Sequence, residues 1–174
     1  MKPPEPDIVP YDLYWSMLYR KEKSRLLSQL AAWVLAIEHI GSTAVEGISA
    51  RPVIDLLVGV RRLADVDTFC LPLLRTLGYR YVGDPQNEES EERLFIRGTP
   101  LGRASHQLYF VEKGGASWWR YLGVRDTLRR DRELATGFIE LKTRYQQQGA
   151  DLAAYTAAKE EFFNSIQSVP TLAV

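Results

Sequence analysis

His39-Ile40-Gly41-Ser42-Thr43-Ala44-Val45-Glu46-Gly47, followed by Arg51-Pro52-Val53-Ile54-Asp55-Leu56-Leu57-Val58, is the stretch from which the rest of the chain is read. An apolar run leads into a Gly-Ser-Thr turn; a second glycine and a proline follow, and the next apolar run carries an aspartate at its third residue. Residues 34–40 therefore read as a strand, 43–47 as a single helical turn and 53–60 as a second strand. The second run is almost continuous in apolar character, which suits a central strand covered on both faces. Burying a carboxylate there is costly unless something pairs with it. Asp55 thus marks a site.

Working outward toward the N-terminus, four prolines among the first ten residues predict an extended lead-in over 1–10. Asp12 is placed to cap a helix that starts near Leu13. Leu13, Met17, Leu26, Leu27, Leu30 and Trp33 recur at near-helical spacing, with Arg20, Lys21, Glu22, Lys23 and Arg25 on the other side. Toward the C-terminus the pattern gives a helix over 64–76 stopped by Gly78, then a short strand over 79–82. A polar, acidic connection over 84–92 follows. Two strands over 94–97 and 106–111 are joined by a turn with Gly98, Pro100 and Gly102. The last third reads as helices over 117–130, 133–147 and 151–166, with Ser117 as a cap and 167–174 as a tail. The order predicts one domain over 1–174 of α+β class, with α/β as the alternative. Its mixed sheet would have four to five strands, preceded by an N-terminal helix and followed by a helical C-terminal third.

Composition narrows the function classes. The 174 residues carry 22 basic and 22 acidic side chains, so the formal net charge is zero. Binding to a nucleic-acid backbone needs a concentrated positive surface, and nucleic acid is disfavoured as a partner. Cys70 is the single cysteine, which excludes an intramolecular disulfide and a cysteine metal site. Its neighbours Phe69, Leu71 and Leu73 mark it as a core residue. The first residues lack the apolar core of a secretory signal, and no run approaches the roughly 18 apolar residues of a membrane span. The expectation is a soluble, cytoplasmic protein with no membrane partner.

The central stretch can support phosphate chemistry. A Gly-Ser turn between a strand and a helical turn leaves backbone N–H groups open to a phosphate, with the Ser42 and Thr43 hydroxyls beside them. Asp55 on the next strand is then placed to hold a divalent cation, Mg²⁺ or Mn²⁺, that bridges to the phosphate. Arg51 at the strand entrance can neutralise an anion, and Arg103 is a second, less well placed cation. The candidate ligand-binding set is Gly41, Ser42, Thr43, Arg51 and Asp55. Convergence of Asp55 with His39 and His106 would make a candidate metal site. The structural alternatives are that Asp55 accepts hydrogen bonds from the Gly41-Ser42 turn or pairs with Arg51, and that His39 is a hydrogen-bonded strand-end residue. Arg125, Arg129, Arg130 and Arg132 read as a solvated helix face balanced by Asp126, Asp131 and Glu133.

The motif His39-Ile40-Gly41-Ser42-Thr43-Ala44-Val45, with Gly47 and Pro52-Val53-Ile54-Asp55, resembles the signature of the GrpB-like family. Arg125-Asp126, Leu128-Arg129, Leu141-Lys142, Tyr155-Thr156, Lys159 and Phe162 resemble that family's helical C-terminal pattern. The resemblance implies a nucleotidyltransferase-related fold, and a domain that also occurs behind some dephospho-coenzyme A kinases. Three positions depart from the pattern: Glu46 replaces the usual proline and Arg51 the usual lysine. His106-Gln107-Leu108-Tyr109 stands where the family usually has His-His-Leu-His. Nucleotidyltransferases place two acidic residues at i and i+2 on one strand, so that both face the same metal pair, whereas here Asp55 is followed at that spacing by Leu57. The reading that results is a small-molecule phosphate- or nucleotide-binding protein, with an atypical transferase as its catalytic form. The alternative is a non-catalytic interaction or regulatory module whose signature is structural.

Overall fold

A computed structural model describes residues 8–83, 90–98, 103–147 and 152–167. Most of the expected 1–10 lead-in, most of the acidic connection, the turn at Pro100 and Gly102, and most of the 167–174 tail lie outside those residues.

The first helix, α1 (Tyr14–Leu30), opens where Asp12 Oδ1 accepts the Tyr14 backbone N–H at 2.8 Å. Its buried side is set by Trp15, Glu22, Leu26 and Leu30, spacings of seven and four that keep one helical face. This corrects the apolar face expected from sequence. Leu13 and Met17 are 72% and 49% exposed, whereas Glu22 is 3% exposed. A charged residue occupies the core side because partners from distant elements meet it there.

Strand β1 (Val34–Ile40) leads through a 3-10 turn (Ser42–Ala44) to β2 (Ile54–Val60). A short α2 (Leu63–Asp65) runs through a π turn (Val66–Cys70) into α3 (Leu71–Thr76), and Gly78 at φ +82° lets the chain leave that helix. Then come β3 (Arg80–Val82), β4 (Arg93–Gly98) and β5 (Ala104–Glu112), and the helices α4 (Ala116–Arg130), α5 (Arg132–Gln147) and α6 (Leu152–Gln167). Ser117 is not the cap expected from sequence. It sits inside the first turn of α4, and its hydroxyl donates to Glu91 at 3.0 Å.

The five strands form one mixed sheet in the order β1-β2-β5-β4-β3. The β2–β5 pair is parallel and the other pairs are antiparallel. Alternation along the strands divides the sheet into two faces. Ile54, Leu56, Val58 and Val60 pack with Leu26, Leu30, Leu74, Leu108 and Phe110 on the side of α1 and α3. Leu57 turns the other way and joins Ile40, Val111 and Trp118 beneath α4. Gly59 on that second face lets Trp118 approach, since a Cβ there would lie 2.8 Å from its ring. A third cluster, with Val45, Ile48, Leu128, Ala135, Phe138 and Ile166, ties the segment after the 3-10 turn to the C-terminal helices. Among the described residues no helix is long and apolar enough to cross a membrane. The architecture is mixed α+β, with β2 buried on both faces.

Candidate functional site

The site begins at the turn between β1 and β2. Gly41 has φ 73° and ψ −174°, a combination open essentially only to glycine. A Cβ built there would overlap the Asp55 carboxylate and lie 3.1 Å from Asp55 Cβ. The turn is then closed by Ala44 N–H to Gly41 O and Val45 N–H to Ser42 O, both at 3.1 Å. Gly41 therefore lets the loop lie directly against Asp55. Gly41→Ala is expected to cost about 1–3 kcal/mol from the backbone conformation alone and to displace Asp55. Thermal denaturation checks the first effect.

Gly41, Ser42, Thr43, Arg51 and Asp55 all line one cavity of about 370 Å³. Its floor is the second face of the sheet: Asp55 pairs in register with Gln107, and Tyr109, two residues on from Gln107, faces the same way. The Gly41–Thr43 turn forms one wall. The roof comes from the C-terminal helices, through Arg120, Tyr121 and Arg125 of α4, Phe138 and Lys142 of α5, and Phe163 and Asn164 of α6. Lys142 Nζ donates to Ser42 Oγ and lies 4.5 Å from the centre of the Phe138 ring. The lysine thus joins the roof to the turn.

Arg51, Arg120, Arg125 and Lys142 surround Asp55 and Glu92 in this cavity, so cationic side chains outnumber carboxylates. Arg125 is engaged with Glu38 at 2.9 Å, Asp126 at 2.8 Å and the His39 carbonyl at 3.2 Å. Tyr109 donates to Gln107 Oε1 and Tyr121 to Glu92 Oε2, both at 2.7 Å, with the two rings 5.3 Å apart. Burial raises the Tyr109 pKa well above its ordinary value, and the Asp55 carboxylate adds to the effect. Burial and Glu92 raise that of Tyr121 in the same way. Both phenols stay protonated as donors. The cavity combines hydroxyl and cationic groups at the turn with aromatic rings farther in.

The metal set proposed from sequence does not assemble. His39 pairs with Leu56 and His106 with Ile54, so both imidazoles project from the α1 side, opposite Asp55. His39 stacks on Tyr19 of α1 at 4.8 Å, while His106 Nδ1 accepts from Arg97 at 2.8 Å beside the Glu22 network. The reason is the two-residue period of a strand, combined with a register that the sequence does not specify. Among the described residues no group of three or more His, Cys, Asp or Glu side chains could hold a metal. The arginine cluster needs a second correction. Arg125 is anchored to β1, and Arg129 Nε donates to the Ala44 carbonyl at 3.0 Å. These two are clamps on the turn.

Sequence reasoning missed Gln107, Tyr109, Arg120, Tyr121, Glu92 and Lys142 as cavity residues. Gln107 and Tyr109 carried a signal. They occupy alternating positions on a strand beside β2, and those are the positions where this chain departs from the family pattern. Lys142 was visible only as part of that pattern. Arg120, Tyr121 and Glu92 had no local signature.

Comparison with known proteins bears on nearly the whole chain. A family model described as GrpB protein matches residues 5–168. The chain is 33% identical over 162 residues to the glutamate-rich protein GrpB of Alkalihalophilus pseudofirmus, covering 91% of this chain and 92% of that protein. It is 29% identical to the UPF0157 protein YqkA of Bacillus subtilis, of which it spans 46%. It is also 27% identical to a dephospho-CoA kinase of Mycolicibacterium paratuberculosis, of which it spans 44%. The crystal structure of GrpB from Enterococcus faecalis superposes with a TM-score of 0.79 at 28% identity, covering 92% of this chain and 94% of that one.

Proposed function

This chain belongs to the GrpB family, and we propose that it binds a small phosphate-containing ligand of nucleotide type in the cavity between the sheet and helices α4 to α6. The observation that supports this is the convergence of Gly41, Ser42, Thr43, Arg51 and Asp55 on one cavity, together with Arg120 and Lys142. In this reading the turn hydroxyls and Lys142 receive the phosphate, Arg51 balances its charge, and the tyrosine pair with Phe138 and Phe163 faces the organic portion. Asp55 supplies one oxygen to a divalent cation such as Mg²⁺ or Mn²⁺. One or two carboxylates completed by phosphate oxygens and water suit such an ion. A two-metal transfer reaction is disfavoured, because Leu57 holds the position of the second carboxylate and is packed against Val111 and Trp118. Binding is therefore the primary reading, and a nucleotidyltransferase-like transferase of unusual composition the secondary one.

Isothermal titration with a panel of nucleotides and coenzyme A precursors, with and without Mg²⁺ or Mn²⁺, tests this. At least one member should bind. Lys142→Ala and Arg51→Ala should each weaken it about tenfold or more, the scale of a lost charged hydrogen bond. Asp55→Asn should remove any metal dependence. Absence of binding across the panel sinks the proposal. The relation to a kinase more than twice this chain's length favours one alternative, a non-catalytic module that acts beside an enzyme. That alternative expects Asp55→Asn to lower the Tm and leave ligand affinity unaltered.

A further inference from the structure

We infer that the chain carries a second ligand site, on the other side of the 41–47 segment, for a small organic anion bearing a hydroxyl group. The space is a cavity of about 590 Å³ bordered by Tyr11, Ser16, His39, Thr43, Arg129 and Arg132. Thr43 lines both this cavity and the first one, so the segment is a partition between them.

His39 is the first reason. The imidazole is 7% exposed, and its Nε2 lies 3.0 Å from Thr43 Oγ1. With the Thr43 hydroxyl proton donated to the Val53 carbonyl at 3.3 Å, the hydroxyl oxygen accepts from His39 Nε2–H. In that tautomer Nδ1 carries a lone pair. Nδ1 makes no hydrogen bond to a described residue. Yet no fully buried side-chain nitrogen or oxygen among the described residues lacks a partner. Nδ1 is therefore not fully buried, and His39 lines this cavity. Burial, with Arg129 and Arg125 nearby, brings the His39 pKa down to about 4. The ring stays neutral at physiological pH and presents an acceptor, so its complement is a ligand O–H or N–H.

Arg129 is the second reason, and it is independent of the first. Its Nε is used by the Ala44 carbonyl. The carboxylate near its Nη1, Asp126 at 3.9 Å, is already bonded by Arg125 Nε at 2.8 Å. Burial and the neighbouring Arg125 lower its pKa, with Asp126 and Glu38 acting against the shift. Arg132 adds a second guanidinium to the lining, near Gly47. Paired guanidinium donors match phosphate or carboxylate oxygens. An anionic group at the arginines and a hydroxyl at His39 Nδ1 define the ligand class: a sugar phosphate or a hydroxy acid.

The protein has two histidines, so both imidazoles can be followed by nitrogen NMR at neutral pH. The probes are ribose 5-phosphate and malate, each titrated separately. At least one is expected to shift His39 Nδ1 saturably and leave His106 unmoved, and the active probe identifies the anion as phosphate or carboxylate. Arg129→Gln should weaken that response at least tenfold, while Asp55→Asn in the first cavity leaves it intact. Arg132→Gln, at an exposed position, serves the same purpose if Arg129→Gln disturbs the fold, as judged by the His106 signals. The inference is overturned if neither probe moves His39, if the response survives loss of both arginines, or if Asp55→Asn removes it.

Discussion

Glu22→Ala is expected to destabilise the fold by about 3 kcal/mol or more, the cost of breaking a buried ion pair from one side. Glu22 is 3% exposed. Its Oε1 accepts from Tyr79 OH at 2.8 Å, Arg25 at 2.8 Å and Arg97 at 3.0 Å, and its Oε2 lies 2.9 Å from Arg97. One carboxylate therefore joins α1 to β4 and to the segment that enters β3. Burial acts to raise its pKa, but the Tyr79 hydrogen bond and the arginines outweigh that and hold it below the ordinary carboxylate value. Removing it leaves the Tyr79 hydroxyl without its partner and Arg97 without a countercharge. Arg97 and Arg25 side chains are 21% and 35% exposed, so partial rehydration keeps the loss nearer the lower end of the range. Urea denaturation measures it. Glu38→Ala is the control, because that carboxylate is 39% exposed in its pair with Arg125 and should cost about 1 kcal/mol or less. Equal losses for the two variants would show that the Glu22 network is merely a surface-type pair.

The contrast between Glu22 and Asp55 shows what the sequence makes legible. Asp55 stands alone in an apolar run, so its place on a core strand is written locally, and the structure leaves it half-buried. Glu22 sits within Arg20–Arg25, where consecutive charges look like a solvated helix face. Its partners Tyr79 and Arg97 lie 57 and 75 residues away. The strands β1 and β2 were legible because hydrophobic runs bounded by Gly and Pro are local signals. The metal set failed for a non-local reason. Whether His106 shares a face with Asp55 depends on the parallel register of β2 and β5, and a shift of one residue would invert the answer. The cavity roof was hidden in the same way. Arg120, Tyr121 and Lys142 look like ordinary helix residues until α4 and α5 fold back over the sheet. What the sequence did specify was the turn, because only glycine permits the backbone of Gly41 to lie against a carboxylate.

Lowering the pH from 7 to 5 is expected to remove about 2 kcal/mol of stability for each of the two histidines, and about 3 kcal/mol each by pH 4. Burial, with the adjacent arginines, brings the pKa of both His39 and His106 from 6.5 to about 4. The sign follows from proton uptake. Between pH 6.5 and 4 the unfolded chain binds protons that the folded chain refuses, so stability falls as pH falls through that window and levels off near pH 4. The geometry explains the refusal. His106 Nδ1 accepts from the Arg97 guanidinium at 2.8 Å, so protonation would set two cations against each other. Glu22 moderates this by raising the His106 pKa, which couples the two arguments: in Glu22→Ala the His106 pKa should drop further and its share of the acid loss should extend to lower pH. Urea midpoints measured from pH 7 to pH 5 isolate the histidines from most carboxylate titration. His39→Gln and His106→Gln should each remove about half of the pH dependence, whatever they do to absolute stability at pH 7. A profile flat from pH 7 to pH 5 in the unmodified protein would mean that the folded imidazoles accept protons normally, and hence that they are neither buried neutral nor confined to the hydrogen bonds described.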